Sequence, residues 1–173
     1  MLSNINSDAV DDARRLLMLL CFASRPLTVQ EVIEGLAVEL TIPMRLNTDR
    51  RLASQDDLHY ICPGFIDIGL EPDDRSEAVY NKDHPVTVRI AHYSVQEYLE
   101  SGRITKPKIM LFALDHPMGQ TELAQICLTY LLAPGISERK LNATVLREFP
   151  LAHYAAMYWP QHYTNARNAD PRL

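Results

Sequence analysis

The sequence predicts a mainly α, α+β domain, and two observations carry that reading. Apolar residues recur at helical spacing through most of the 173 residues. Only two short stretches, Phe65-Ile66-Asp67-Ile68 and Val86 to Ala91, carry the β-rich, alternating pattern of strands.

In chain order, residues 8–22 read as a helix with Val10, Ala13, Leu17, Leu20 and Cys21 on one face. Met18 and Leu19 widen the stripe, so two sides need covering. Pro26 disfavours helix at Arg25 and ends the element. Thr28 and Glu31 form a capping box that opens a second helix bearing Val29, Val32, Ile33, Leu36 and Ala37. Residues 41–53, polar and holding Pro43, Arg45, Arg50 and Arg51, read as a loop. Ser54 with Asp57 opens a short third helix carrying Leu58, Ile61 and Cys62, and Pro63-Gly64 breaks it.

The two strands follow, joined by the charged segment Glu71 to Pro85, as a hairpin with a loose tip. Val88 and Ile90 alternate with Arg89, the period of a half-buried strand. Ser94 and Glu97 then match an S-x-x-E capping box that opens the next helix.

The order helix, helix, helix, strand, strand, helix is a winged-helix arrangement, three helices packed on an antiparallel hairpin. Other small α+β folds share that order. We assign residues 1–105 to this unit and residues 106–173 to a helical subdomain.

In the second part, Lys106-Pro107 marks a boundary, and Ile109, Leu111 and Leu114 suit a short strand or turn. A helix spans about residues 120–132, with Leu123, Ile126, Cys127, Tyr130 and Leu131 on its face, and Pro134-Gly135 stops it. Ser137 caps a further helix containing Leu141, Val145 and Leu146. Pro150 suits the first turn of the last helix, which carries Leu151, Tyr154, Ala155, Tyr158 and Trp159. The polar tail from Asn165 to Leu173 is expected to fray.

Bulk properties exclude several classes. The net charge of −5 gives no general attraction for nucleic acid or anionic membrane. The longest apolar run, Leu16 to Ala23, falls far short of the about 20 residues of a membrane span. No basic region followed by an apolar stretch opens the chain, so no signal peptide is expected. Cys21, Cys62 and Cys127 each lie in an apolar pattern and read as reduced, buried thiols of a cytoplasmic protein.

His92 is the first candidate functional residue. A titratable ring between a strand end and exposed helix N–H groups is placed to contact a phosphate. A local role, capping the junction, suits it equally. Ser94 lies two residues on, but no G-x-S-x-G elbow accompanies it, and capping already accounts for it. No catalytic residue is therefore assigned, and no enzymatic activity is expected. The histidines His59, His84, His116, His153 and His162 show no ligand spacing, and the acidic run Asp73, Asp74, Glu77, Asp83 is no calcium loop, so no metal is assigned. The aromatic stripe Tyr154, Tyr158, Trp159, Tyr163 is either core packing of the last helix or an interaction face for a following domain.

Residues Val88 through Leu99 resemble the winged-helix segment of NACHT-type STAND ATPases, the NLR-like proteins, with its apolar-x-His-x-Ser-x-Gln-Glu-aromatic-Leu pattern. Phe22-Ala23-Ser24-Arg25-Pro26-Leu27-Thr28, Arg89 through Ser101, Ile126 through Leu131 and Pro150 through Pro160 resemble, in the same order, phrases of the fungal NACHT–ankyrin proteins. The resemblance implies a winged helix and helical linker between a nucleotide-binding domain and ankyrin or WD40 repeats. It implies that His92 reaches ADP bound to the neighbouring NACHT domain. The chain has no G-x-x-x-x-G-K-[ST] phosphate loop, so no cofactor is expected in isolation, and ADP or ATP only in a full-length parent.

The implied function is a non-enzymatic regulatory module whose partners are the NACHT and repeat domains. Two alternatives stand beside it. One is a winged-helix transcription regulator bound to DNA. Its reader helix would be Ser54 to Cys62, which holds two Asp and no Lys or Arg. The wing would set five acidic residues against Arg75 and Lys82. The other is a truncated gene product without independent activity.

Overall fold

The computed structural model describes residues 2, 5–70, 85–140 and 142–169. The expected wing tip, Leu141 and the last four tail residues fall outside this set.

After a 3-10 turn at Ser7–Ala9, α1 (Val10–Phe22) opens the fold and β1 (Leu27–Thr28) follows. Next come α2 (Val29–Leu36), β2 (Val38–Glu39) and β3 (Arg45–Leu46). Then come α3 (Gln55–Ile61), β4 (Ile66–Leu70), β5 (Val86–Ile90) and α4 (Tyr93–Glu100). A 3-10 helix at Pro107–Phe112 leads to α5 (His116–Leu131), α6 (Pro134–Ser137), α7 (Ala143–Glu148) and α8 (Leu151–Ala169). The main sheet is antiparallel in the order β1-β5-β4, with Leu27 opposite Val88 and Ile66 opposite Ile90. Three helices on a small antiparallel sheet, with α4 at the end of its central strand, make a winged helix, and the helical region follows it.

Two capping boxes form as read. Thr28 Oγ1 accepts from the Glu31 amide, and the Glu31 carboxylate accepts from the Thr28 amide. The second opens α3: Ser54 Oγ accepts from the Asp56 amide, and the Asp57 carboxylate accepts from the Ser54 amide.

Other expectations are corrected. Residues 41–53 are not wholly loop: β2 and β3 pair as a second hairpin, with Arg45 Nε 2.7 Å from Glu39 Oε2. Each strand is two residues long and offers one apolar residue, Val38 opposite Leu46, so the run is too short for alternation to announce it. Of the strand or turn expected around Ile109 to Leu114, the chain takes turns, as a 3-10 helix at Pro107–Phe112. Helix α5 starts four residues early, because Asp115 accepts from the Met118 amide and caps it. Ser137 does not cap α7. Asn142 does, accepting from the Thr144 and Val145 amides, while the Ser137 hydroxyl donates to the Leu132 carbonyl. The last helix runs through Ala169, so the expected tail is helical from Asn165 to that point.

The boundary at 105/106 does not divide the core. One cluster runs from Leu17, Val32 and Val88 through Leu123, Tyr130 and Ala155. The widened apolar stripe of α1 explains this: Leu16, Leu17, Met18 and Leu19 are all buried. Gly119 of α5 lets the helices approach, since a Cβ there would lie 2.2 Å from the Phe22 ring.

Candidate functional site

The S-x-x-E match at Ser94 and Glu97 is two residues out of register. Strand β5 ends at Ile90, and the Ala91 amide still bonds to the Phe65 carbonyl. His92 keeps extended dihedrals, φ −150° and ψ 135°, so His92 is the N-cap and Tyr93 the first helical residue. The ring serves as an Asn side chain would. His92 Nδ1 accepts from the Ser94 amide at 3.2 Å and lies 2.8 Å from the Ser94 hydroxyl. Among the described residues Glu97 takes no part in the cap. A backbone N–H can only donate, so Nδ1 is an acceptor and the neutral ring carries its proton on Nε2. An exposed His92 therefore offers an Nε2–H donor to a partner.

Helix α4, which His92 opens, is thinly covered. Leu99 alone is fully buried, whereas Tyr93 is 69% and Tyr98 40% exposed. Beside it runs a groove of about 480 Å³ walled by Arg25, Pro26, Arg89, Ile90, Tyr93 and Gln96. The groove exists because β1 begins only at Leu27, opposite Val88, and leaves the end of β5 without a neighbour on that side. Gln96 Nε2 donates to the Cys21 carbonyl at 3.4 Å and to Glu100 Oε1 at 2.8 Å, which orients its amide. Arg25 is committed: both its terminal nitrogens bond to Glu31, at 2.6 and 2.8 Å, which holds the guanidinium above its ordinary range. Arg89 is looser, 3.7 Å from Asp67. The wall thus presents one fixed cation, one adjustable cation, a tyrosine and an amide.

The Ser94 hydroxyl meets an imidazole nitrogen, as a nucleophile would. That nitrogen already takes the Ser94 amide, and no carboxylate among the described residues orients the other nitrogen. All three cysteines are free, and burial pushes their thiols up to about 12, away from reactive thiolate. Among the described residues no three His, Cys, Asp or Glu side chains gather to hold a metal. No helix among them is long and apolar enough to cross a membrane.

The aromatic stripe divides. Tyr154 is wholly buried, so its assignment to an exposed interaction face is corrected: α5 covers that side of α8. Tyr158 and Trp159 are half-buried, and Tyr163 is exposed. His162, dismissed as a ligand, is buried on the covered side, held by Tyr154 and by Gln120 from α5. Its partners lie on another helix as well as its own, so spacing offered no signal for it.

The fold and the exposed α4 junction define a winged-helix module with a helical extension. Residues 2–108 match the family model described as GPI inositol-deacylase, winged helix domain, and the chain belongs to that family. It is also similar to the azaphilone pigments biosynthesis cluster protein L of Monascus ruber, 44% identical over 167 residues. That match covers 96% of this chain and 34% of the relative, so the chain spans about a third of the curated relative's length. No solved structure matches.

Proposed function

We propose that this chain is a non-enzymatic regulatory module of a NACHT-type STAND signalling protein, coupling a nucleotide-binding domain to C-terminal ankyrin or WD40 repeats. The observation that carries the reading is the β5–α4 junction. His92 caps an exposed helix with Nδ1 and keeps an Nε2–H donor on an uncovered surface. A phosphate oxygen accepts from such a donor, and a neighbouring domain would cover Tyr93, Tyr98 and the groove. ADP belongs to that domain, because this chain has no phosphate loop. In the closed state the contact would hold the winged helix against the nucleotide domain, and its loss would release it as a rigid body. The name of the Monascus ruber relative specifies a pigment cluster and no reaction. A regulatory part in a cytoplasmic fungal protein accords with that name. Duplex DNA has no place in this reading, since α3 carries Asp56 and Asp57 and no Lys or Arg.

The test is His92→Ala in a full-length parent protein. ADP exchange several-fold faster, with readier self-association, is the expected result. Unchanged exchange rejects the nucleotide contact. Micromolar binding of ADP and magnesium to this chain alone, measured by calorimetry, rejects the division of labour.

A further inference from the structure

We propose that a closed polar ring around the C-terminal end of α1 is a latch, tying the distal half of α8 to the turn that walls the groove. The ring starts and ends on one short segment. Gln120 Nε2 donates to the Phe22 carbonyl at 3.4 Å. His162 Nδ1 lies 2.7 Å from Gln120 Oε1, and His162 Nε2 lies 2.8 Å from Tyr154 Oη. The Ser24 amide donates to Tyr154 Oη at 3.0 Å.

The proton positions follow from the partners. An amide oxygen only accepts, so His162 carries its proton on Nδ1. Nε2 then accepts from the Tyr154 hydroxyl, whose oxygen accepts from Ser24. Every hydrogen bond in the ring has a defined donor and acceptor, and His162 is the member that joins α5 to α8. Arg25 adds a second tie, its guanidinium 5.1 Å above the Tyr154 ring. Ser24 and Arg25 are both groove-wall residues.

The distal half of α8 depends on this ring. Pro160 sits inside the helix and removes one backbone hydrogen bond. From Met157 to Arg167 only His162 and Ala166 are fully buried. A segment with so few buried contacts opens at low cost. When it leaves, Gln120 loses its donor and Tyr154 its acceptor, and the Ser24 amide loses a fixed partner. Undocking of α8 thus registers in the groove wall, at Ser24. The functional consequence rests on the proposed reading, in which α8 leads toward the repeats and the groove faces the nucleotide domain.

Amide hydrogen exchange on the whole chain tests the latch without nucleotide. His162→Leu should speed exchange at Ser24 and at residues 161–167 together, by about three- to tenfold, while β4 and β5 keep their protection. Tyr154→Phe removes one oxygen and keeps the ring, and it should expose Ser24 by a similar factor even if His162→Leu fails to fold. His162→Gln, which retains a donor and an acceptor, should restore part of the protection. Ser24 protection unchanged in Tyr154→Phe, or distal α8 opening with Ser24 unaffected, overturns the latch. ADP exchange in a full-length parent judges the NACHT reading separately.

Discussion

Tyr130 of α5 donates its hydroxyl to Glu34 of α2 at 2.8 Å, deep in the core, and so fastens the helical region to the winged helix. Arg51 Nη2 donates to the same carboxylate at 2.9 Å, and Arg51 Nε pairs with it at 2.8 Å without the alignment of a hydrogen bond. The Arg51 guanidinium also lies 5.9 Å above the Phe149 ring. Burial, with the facing Glu34 charge, pushes the Tyr130 phenol above its ordinary value, so it stays a donor. One carboxylate thus gathers a loop cation and a phenol from opposite parts of the chain.

Removing the hub should cost more than removing a spoke. Glu34→Ala leaves Arg51 and the Tyr130 hydroxyl without their acceptor, and a broken buried pair costs about 3–5 kcal/mol. The low end is expected, because the Arg51 side chain is 31% exposed. Tyr130→Phe should cost about 1 kcal/mol. Urea unfolding of the two variants measures the difference, and equal midpoints would mean that the carboxylate does not organise the contact.

The side chain that caps α4 is a histidine, not the serine two residues on. His92→Ala should destabilise α4 by about 1 kcal/mol through the unmet Ser94 amide, whereas Ser94→Ala, at an exposed position inside the first turn, should cost a few tenths. Urea midpoints in the reverse order would restore Ser94 as the cap.

The difference between these caps shows what was legible. Thr28–Glu31 and Ser54–Asp57 signal themselves through side chains within one turn, and both boxes form. The local reading of His92, capping the junction, holds, but histidine lies outside the usual N-cap residues and a chance S-x-x-E match two residues later pointed to Ser94. The β2–β3 hairpin has one apolar pair, Val38 with Leu46, beside the polar contacts of Glu39, Arg45 and Asn47, and two-residue strands are too short to show alternation. Helical spacing placed Tyr154 on the correct stripe of α8, but which side of that stripe α5 covers is a tertiary fact. The single core likewise follows from the width of the α1 stripe, which was read, and from Gly119 against Phe22, which was not.

Acid should weaken the fold through His162. Desolvation lowers this imidazole from its ordinary 6.5 to about 4. The groups facing it are Tyr154 and Gln120, with Arg25 beyond the Tyr154 ring paired to Glu31. The unfolded chain binds a proton near pH 6.5 and the native ring only near pH 4, so the unfolded state holds more protons between them. The stabilisation is therefore complete above pH 6.5 and is lost as pH falls to about 4, with a limiting slope of about 1.4 kcal/mol per pH unit. His162→Leu should be less stable at pH 7 and should flatten this part of the profile. A variant as pH-sensitive as the parent would assign the slope elsewhere.

Gly119→Ala tests the close approach of α1 and α5 by its sign. In an exposed helix interior the change gains about 1 kcal/mol from lower backbone entropy and better helix propensity. Here the new Cβ would lie 2.2 Å from both Phe22 Cδ2 and Phe22 Cε2. The Phe22 ring is buried and stands edge-on to His116 with centroids 5.2 Å apart, so it has little room to yield. Overpacking of this kind costs about 1–3 kcal/mol, which outweighs the propensity gain. Gly119→Ala should therefore lower the melting temperature. In a Phe22→Leu background the same substitution should cost much less, because the clashing ring atoms are gone. Stabilisation by Gly119→Ala alone would show that Phe22 repacks freely and that the helices do not need the glycine.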